Sequence, residues 1–196
     1  MPRIGAEPIR REAFIKAAIA EIGTAGSLDV SVARIARRAG MSPALAHHYF
    51  GSKERMFLEA MRHILRVFGT ETSAALAGAH GPRGRLEAIA AVSFAPRQFA
   101  PDTVAAWLVF YVRALSSADT ARLLRIYAGR LRTNLRHEFR ALLPAPAATE
   151  AAETVAALID GLYLRHALAA AAPDPAACRA LVGSEIARLI IGKETT

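Results

Sequence analysis

Between Ser31 and Lys53 the chain carries Arg34, Arg37, Arg38 and Lys53, no acidic residue, and an adjacent histidine pair, His47–His48. Guanidinium and ammonium groups at this density bind phosphate oxygens and release counterions from a polyanion. A solvated helix face is the other reading of Arg37 and Arg38. The histidine pair also raises a metal reading. Neighbouring helical residues point in different directions, however, and no third ligand is evident, so no metal site is expected. An enzyme would need a nucleophile beside a base, or paired acids in a pocket. Cys178 lies in an apolar stripe without a histidine near it, and His47, His48, His63, His80, His137 and His166 form no motif. No catalytic residue and no cofactor are expected. The last group of chemical interest is Asp160, an acid within an otherwise apolar helix, costly there unless paired. Its partner is expected to be Arg165 or an arginine from another helix.

The elements that position these groups are helical, and the fold class expected is all-α. Ile15, Ala18, Ile19 and Ile22 form an i, i+3, i+4, i+7 apolar stripe, with Pro8 opening that first helix and Gly23 and Gly26 ending it. Ser31 is an N-cap for a short second helix with Val32, Ile35, Ala36 and Ala39 inward. Gly40 follows as a C′ residue, where left-handed geometry costs glycine little. Ser42 caps a third helix and Pro43 takes its favoured first position. Ser52 caps a long fourth helix whose apolar face runs through Met56, Phe57, Ala60, Met61, Ile64 and Phe68. The segment 78–84 (GAHGPRG) reads as a loop. Further helices are expected near 83–95, 102–116, 119–143, 150–172 and 175–191, separated by Pro96, Pro101, Pro144, Pro146, Pro173 and Pro175.

Two short helices around Gly40-Met41-Ser42 follow helix-turn-helix logic, in which the second helix enters the major groove. That helix, 43–49, presents small and polar groups (Ala44, Leu45, His47, His48) instead of a large apolar surface. Lys53 opens the next helix, where its cation and the helix N-terminal amides suit a phosphate. The expected division is a DNA-binding domain over 1–53 and a second helical domain over 54–196.

The totals agree. The chain has 196 residues, with 25 basic against 17 acidic side chains and a formal net charge of +8. That balance suits DNA, RNA or a membrane surface, and equally an arginine-rich soluble protein. A single cysteine gives no intrachain disulfide and fits a reduced, cytoplasmic compartment. No signal-peptide core is read at the N-terminus, and the most apolar stretch, 155–172, is broken by Asp160, Arg165 and His166, so no membrane span is expected.

The run Ile35 to Lys53, IARRAGMSPALAHHYFGSK, resembles the TetR family of bacterial regulators, whose pattern is I-A-x-x-A-G-V-S-x-x-x-L-Y-x-Y-F-x-S-K. Ile35, Ala36, Ala39, Gly40, Ser42, Tyr49, Phe50, Ser52 and Lys53 match. Ala46 and His47 stand at the pattern's Leu and Tyr. The resemblance implies a ligand-responsive repressor that binds double-stranded operator DNA as a homodimer. It makes 54–196 an effector-binding and dimerisation domain, and it puts Pro43, Ala44, Leu45 and His47 toward base edges and Ser31, His48, Tyr49 and Lys53 toward phosphates, with Ser42 among the DNA contacts. It also implies that the last two helices pair with their mates, with Ala156, Ala157, Gly161 and Ala187 allowing close approach. The first and fourth helices would then carry the ligand response.

Within the family the chain resembles the choline-responsive BetI group, repressors of glycine betaine biosynthesis genes. Gly5, Pro8, Ile9, Arg10 and Arg11 match that group's basic segment before helix 1, which adds Arg10 and Arg11 to the expected DNA contacts. Trp107-Leu108 with Phe110, the run 131–140, and ALIDGLYLRHAL at 157–168 carry the remaining likeness. A quaternary ammonium has no N–H to donate and binds through aromatic faces and a carboxylate. The expected effector residues are therefore Trp107, Phe110, Tyr111, Tyr127, Asp160 and Tyr163, with core packing as the other role for the aromatics. A regulator of a different pathway, sensing another small cationic or apolar ligand, fits the same residues.

Overall fold

A computed structural model of the chain describes residues 6–169 and 174–191, with the side chains of Ala6 and Ala167 excepted. Gly5 and the break at Pro173 lie outside the described residues. The chain is helical throughout the described part: α1 (Ala6–Ala25), α2 (Val32–Arg38), α3 (Pro43–Phe50), α4 (Lys53–Gly78), α5 (Gly81–Ser93), a 3-10 turn (Pro96–Phe99), α6 (Pro101–Ala114), α7 (Ala118–Phe139), α8 (Ala145–Ala167) and α9 (Pro175–Ile191). It divides into two compact units. The first takes in the residues up to Arg66 and Ala100–Leu123; the second takes in Val67–Phe99 and the residues from Leu124 onward.

In the first unit the buried side chains follow the helical stripes. Ile15, Ala18 and Ile22 of α1, Ile35 and Ala36 of α2, and Met56, Phe57, Ala60 and Met61 of α4 are all buried. Phe14, fully buried, lies at the centre, with its ring edge-on to Tyr49 (6.1 Å) and Phe50 (5.9 Å). Helix α6, which contributes Ala106, Trp107 and Phe110, packs along α1. The division therefore assigns the first part of α4, and all of α6, to the same unit as the helix-turn-helix.

In the second unit Leu86 and Ile89 of α5, Leu131, Leu135 and Phe139 of α7, Val155 and Ile159 of α8, and Val182 and Ile186 of α9 form the core. Buried Glu138 accepts from Arg85 Nε at 2.8 Å, and Arg85 Nη1 donates to the Leu76 carbonyl at 3.1 Å, tying the end of α4 to α5 and α7.

Three sequence expectations need correction. Gly23 does not end α1, which continues to Ala25 before Gly26 adopts φ +60°. Gly23 instead marks a close approach: a Cβ there would lie 2.7 Å from Asp102 Cβ and collide with the Asp102 backbone. The break at 78–84 shrinks to Ala79 and His80, because Gly81 (φ +68°) and Pro82 are accommodated in the first turn of α5, where no backbone N–H donor is needed. For the same reason α8 starts at Ala145, ahead of the expected residue 150, with Pro144 as its N-cap residue and Pro146 in its first turn.

The Gly23 contact makes a paired prediction. Gly23→Ala overpacks the α1–α6 junction at a cost of about 1–3 kcal/mol and should lower Tm by at least about 2 °C in calorimetry. Gly69→Ala, in α4 with nothing within 4 Å of the new methyl, should raise it slightly. Equal shifts in the two variants would show that the α1–α6 packing is not this tight.

Candidate nucleic-acid interface and a buried carboxylate

The turn between α2 and α3 is built by local hydrogen bonds. Ser31 Oγ accepts from Arg34 N at 3.1 Å and Ser42 Oγ accepts from Leu45 N at 3.3 Å, so each short helix begins on a capping serine. Gly40 closes α2 at φ +68°, and Met41 N donates back to the Ala36 carbonyl at 3.0 Å. Pro43 opens α3, and Gly51 ends it at φ +73° with its N–H on the His47 carbonyl at 2.8 Å. Ser52 Oγ accepts from Arg55 N at 3.2 Å, which starts α4 at Lys53.

Helix α3 is sided. Ala46 and Phe50 are buried, Leu45 and Tyr49 are half-buried, and Pro43, Ala44, His47 and His48 are exposed. Positions 43, 44, 47 and 48 share one helix face. That face carries two imidazoles, which donate or accept hydrogen bonds, and small side chains that allow close approach. Ser31 and Ser42 are exposed and Lys53 half-buried. Ala46, where the resembled pattern has Leu, is buried.

The basic residues divide in a way the sequence did not indicate. Glu21 of α1, only 6% exposed, lies between two arginines of α2. Arg38 Nε donates to its Oε1 at 2.7 Å, and Oε2 meets Arg34 Nε as an ion pair. The Arg38 hydrogen bond, joined by the charges of Arg34 and Arg38, outweighs burial and holds the Glu21 carboxyl below the usual range. Arg38 is thus paired, although its side chain, like that of Arg34, stays exposed. Arg11 is also engaged: its guanidinium lies 5.2 Å from the Phe50 ring centroid and 3.8 Å from Glu59. Among the described residues Arg10, Arg37 and Lys53 meet no carboxylate, and Arg10 and Arg37 are exposed. One signal of Glu21 was available in the sequence. It stands seven residues after Phe14 and three after Ala18, on the buried face, where an acid requires a cation.

In the second unit Asp160 of α8 is half-buried and accepts from the Tyr127 hydroxyl at 3.4 Å. Burial pushes its carboxyl up to about 6, only partly opposed by the Tyr127 hydrogen bond. Among the described residues neither Arg165 nor another cation pairs with it, so the ion-pair expectation is not met. The Tyr127 ring stands edge-on to Phe68 at 5.7 Å. Tyr163 is a strut: its hydroxyl donates to the Gln98 carbonyl at 2.9 Å and its ring lies 5.3 Å from Phe99. Arg97, beside Gln98, pairs with Glu71 at 3.1 Å. Trp107, Phe110 and Tyr111 belong to the first unit, where the Trp107 ring lies 5.6 Å from Phe110 and 5.8 Å from Tyr111. The six expected effector residues therefore divide three and three between the units. An open groove of about 490 Å³ between α5 and α9, lined by Arg83, Glu87, Arg179, Gly183 and small neighbours, involves none of them.

Comparison with known proteins agrees with this architecture. Residues 14–60 match the profile of bacterial regulatory proteins of the tetR family, and residues 82–191 match that of the C-terminal region of BetI-type transcriptional repressors. The chain is 53% identical over 194 residues to the HTH-type transcriptional regulator BetI of Brucella anthropi, covering 99% of this chain and 100% of that protein. It is 53% identical over 182 residues to the BetI regulator of Agrobacterium fabrum, covering 93% and 88%. A transcriptional regulator of Pseudomonas aeruginosa PAO1 superposes with a TM-score of 0.83 at 26% identity, covering 98% and 95%. A Saccharomonospora viridis regulator, solved in complex with choline, superposes at 0.78 with 21% identity, covering 90% and 95%, a likeness of fold. The helix-turn-helix at the N-terminus, the helical region after it and near-full-length identity to BetI regulators place the chain in the TetR family with a BetI-type C-terminal region: it is a DNA-binding transcriptional repressor, not an enzyme.

Proposed function

We propose that this repressor responds to choline and controls glycine betaine synthesis genes, binding its operator as a homodimer through the exposed face of α3. The observation that carries the ligand reading is Asp160, a half-buried carboxylate whose recorded hydrogen bond comes from a tyrosine and which has no cationic partner among the described residues. An acid held so is stabilised by a cation that brings its own charge but no N–H. Tyr127 supplies both a hydroxyl to the carboxylate and an aromatic face, worth about 0.5–2 kcal/mol to a quaternary ammonium. The identity to BetI regulators and the choline complex of the S. viridis regulator support the same assignment. Tyr163 belongs to this proposal as the residue that fixes the turn at Gln98; Trp107, Phe110 and Tyr111 pack among themselves in the first unit.

For the DNA side, Ala44 and His47 read base edges, with Pro43, Leu45 and Ser42 alongside them. Ser31, His48, Tyr49, Lys53, Arg10 and Arg37 lie toward phosphates, and Arg11 acts through its contacts with Phe50 and Glu59. For the dimer, α8 and α9 leave Leu164, Leu168, Leu181 and Ile191 exposed, apolar surface that a second copy covers. The domain boundary we favour for function follows the sequence reading, with 1–53 contacting DNA and 54–196 sensing and pairing.

Two experiments follow. Ala44→Glu and His47→Glu place a carboxylate on the exposed face of α3. Each should weaken binding to a duplex selected from random sequence by the parent protein by at least about tenfold, with Tm unchanged. Undiminished binding would remove α3 from the interface. Calorimetry should detect choline binding to the parent at up to millimolar ligand, weakened at least about tenfold by Asp160→Asn (~1.4 kcal/mol) and fading as the pH falls through about 6 and the carboxyl protonates. Because its folded-state pKa is raised, ionised Asp160 costs stability above that pH and less below it. Asp160→Asn should therefore raise Tm at about pH 8, and the gain should shrink toward about pH 5. No heat with choline removes the choline reading. Heat that Asp160→Asn leaves untouched removes Asp160 from it.

A further inference from the structure

We propose that Glu21 is a positioning residue for operator recognition: it holds α2 against α1 and withdraws Arg34 and Arg38 from phosphate binding. The inference rests on the reading of α3 as the recognition helix and goes beyond it. Arg34 and Arg38 are one helical turn apart, so both guanidiniums leave α2 on the same side. That side faces α1, where a single carboxylate, nearly buried, receives both. A buried carboxylate stripped of its cations is strongly destabilising, so the pairing is held throughout the folded state. Two of the four cations between residues 31 and 53 are thereby tied to a buried carboxylate of α1 while their side chains stay exposed (52% and 43%), leaving Arg37 and Lys53 to the nucleic acid.

The consequence concerns specificity. Phosphate contacts are blind to sequence, and every additional cation facing the duplex strengthens binding to all DNA alike. Glu21 cancels one of the three positive charges on α2 and fixes Arg34 and Arg38 in place. Removing it frees two mobile guanidiniums beside the duplex and loosens α2, on which α3 packs. Non-specific binding should rise as specific binding falls.

The test is fluorescence anisotropy on the selected duplex and on a scrambled duplex, from about 50 to 200 mM salt, with the parent, Arg38→Gln and Glu21→Gln. Arg38→Gln should leave the salt slope unchanged on both duplexes, since its cation touches no phosphate. Glu21→Gln should steepen the slope by about 1, tighten scrambled binding at least threefold (~0.6 kcal/mol), and lower the ratio of selected to scrambled affinity about tenfold. A slope reduced by about 1 in Arg38→Gln would make Arg38 a phosphate ligand and overturn the inference. So would a Glu21→Gln protein whose two affinities move in equal proportion, the signature of packing loss alone. If Glu21→Gln does not fold, the Arg38→Gln slope decides. A parent that selects no sequence would sink the recognition reading itself, a result separable from both.

Discussion

An eight-residue helix cannot hold its own shape in water, because nucleating a helix costs more than so few backbone bonds return. Helix α3 must nonetheless present one face in a fixed orientation, and what fixes it is the edge-on contact of the Phe14 ring with Tyr49 and Phe50. Such pairs contribute about 0.5–1.5 kcal/mol beyond the burial of their surface. Here they anchor the C-terminal end of α3, while Ala46 lets its middle settle against the core. The Arg11 guanidinium over the Phe50 ring gives α1 a second hold on the same helix and, through Glu59, brings in α4. The exposed set Pro43, Ala44, His47 and His48 is the remainder: the side chains not needed to hold the helix are the ones left to solvent.

Two carboxylates, one in each unit, show how environment sets the ionisation of a buried acid. Glu21 is the more deeply buried, yet two guanidiniums hold it ionised and below the usual range. Asp160 is less buried and has only a tyrosine hydroxyl, so its carboxyl is pushed up to about 6. The first arrangement stabilises the fold. The second costs stability whenever the acid is ionised, a cost that a bound cation would offset. Natural chains keep such groups where binding requires them.

Much of the helix-turn-helix was legible in the chain because its signals are local. Ser31 and Ser42 as caps, Pro43 at the first position and Gly40 and Gly51 as stops act over three or four residues. The helical stripes of α1 and α4 were readable from periodicity for the same reason. The parts that were not legible depend on partners far away in sequence. Gly23 looked like a stop signal because its reason, the Asp102 backbone, lies on another helix 79 positions later. Arg38 carried two readings, phosphate ligand or solvated face, and its pairing was hidden because its acid is on α1. Asp160 carried two readings until the space around it was known, since an arginine from any helix could have reached it. Pro82 and Pro146 misled for a different reason: proline punctuates a chain, but in the first turn of a helix it begins one.

The claim on which the rest turns is that α3 lies in the major groove, twice per dimer. Dimethyl sulfate footprinting reads this directly, because guanine N7 is reached through the major groove and adenine N3 through the minor groove. The account predicts protected guanine N7 positions in two half-sites one helical turn apart, about 34–36 Å or a multiple of it, with adenine N3 still open between them. Protection confined to adenine N3, or a single protected patch without a second half-site, would contradict it.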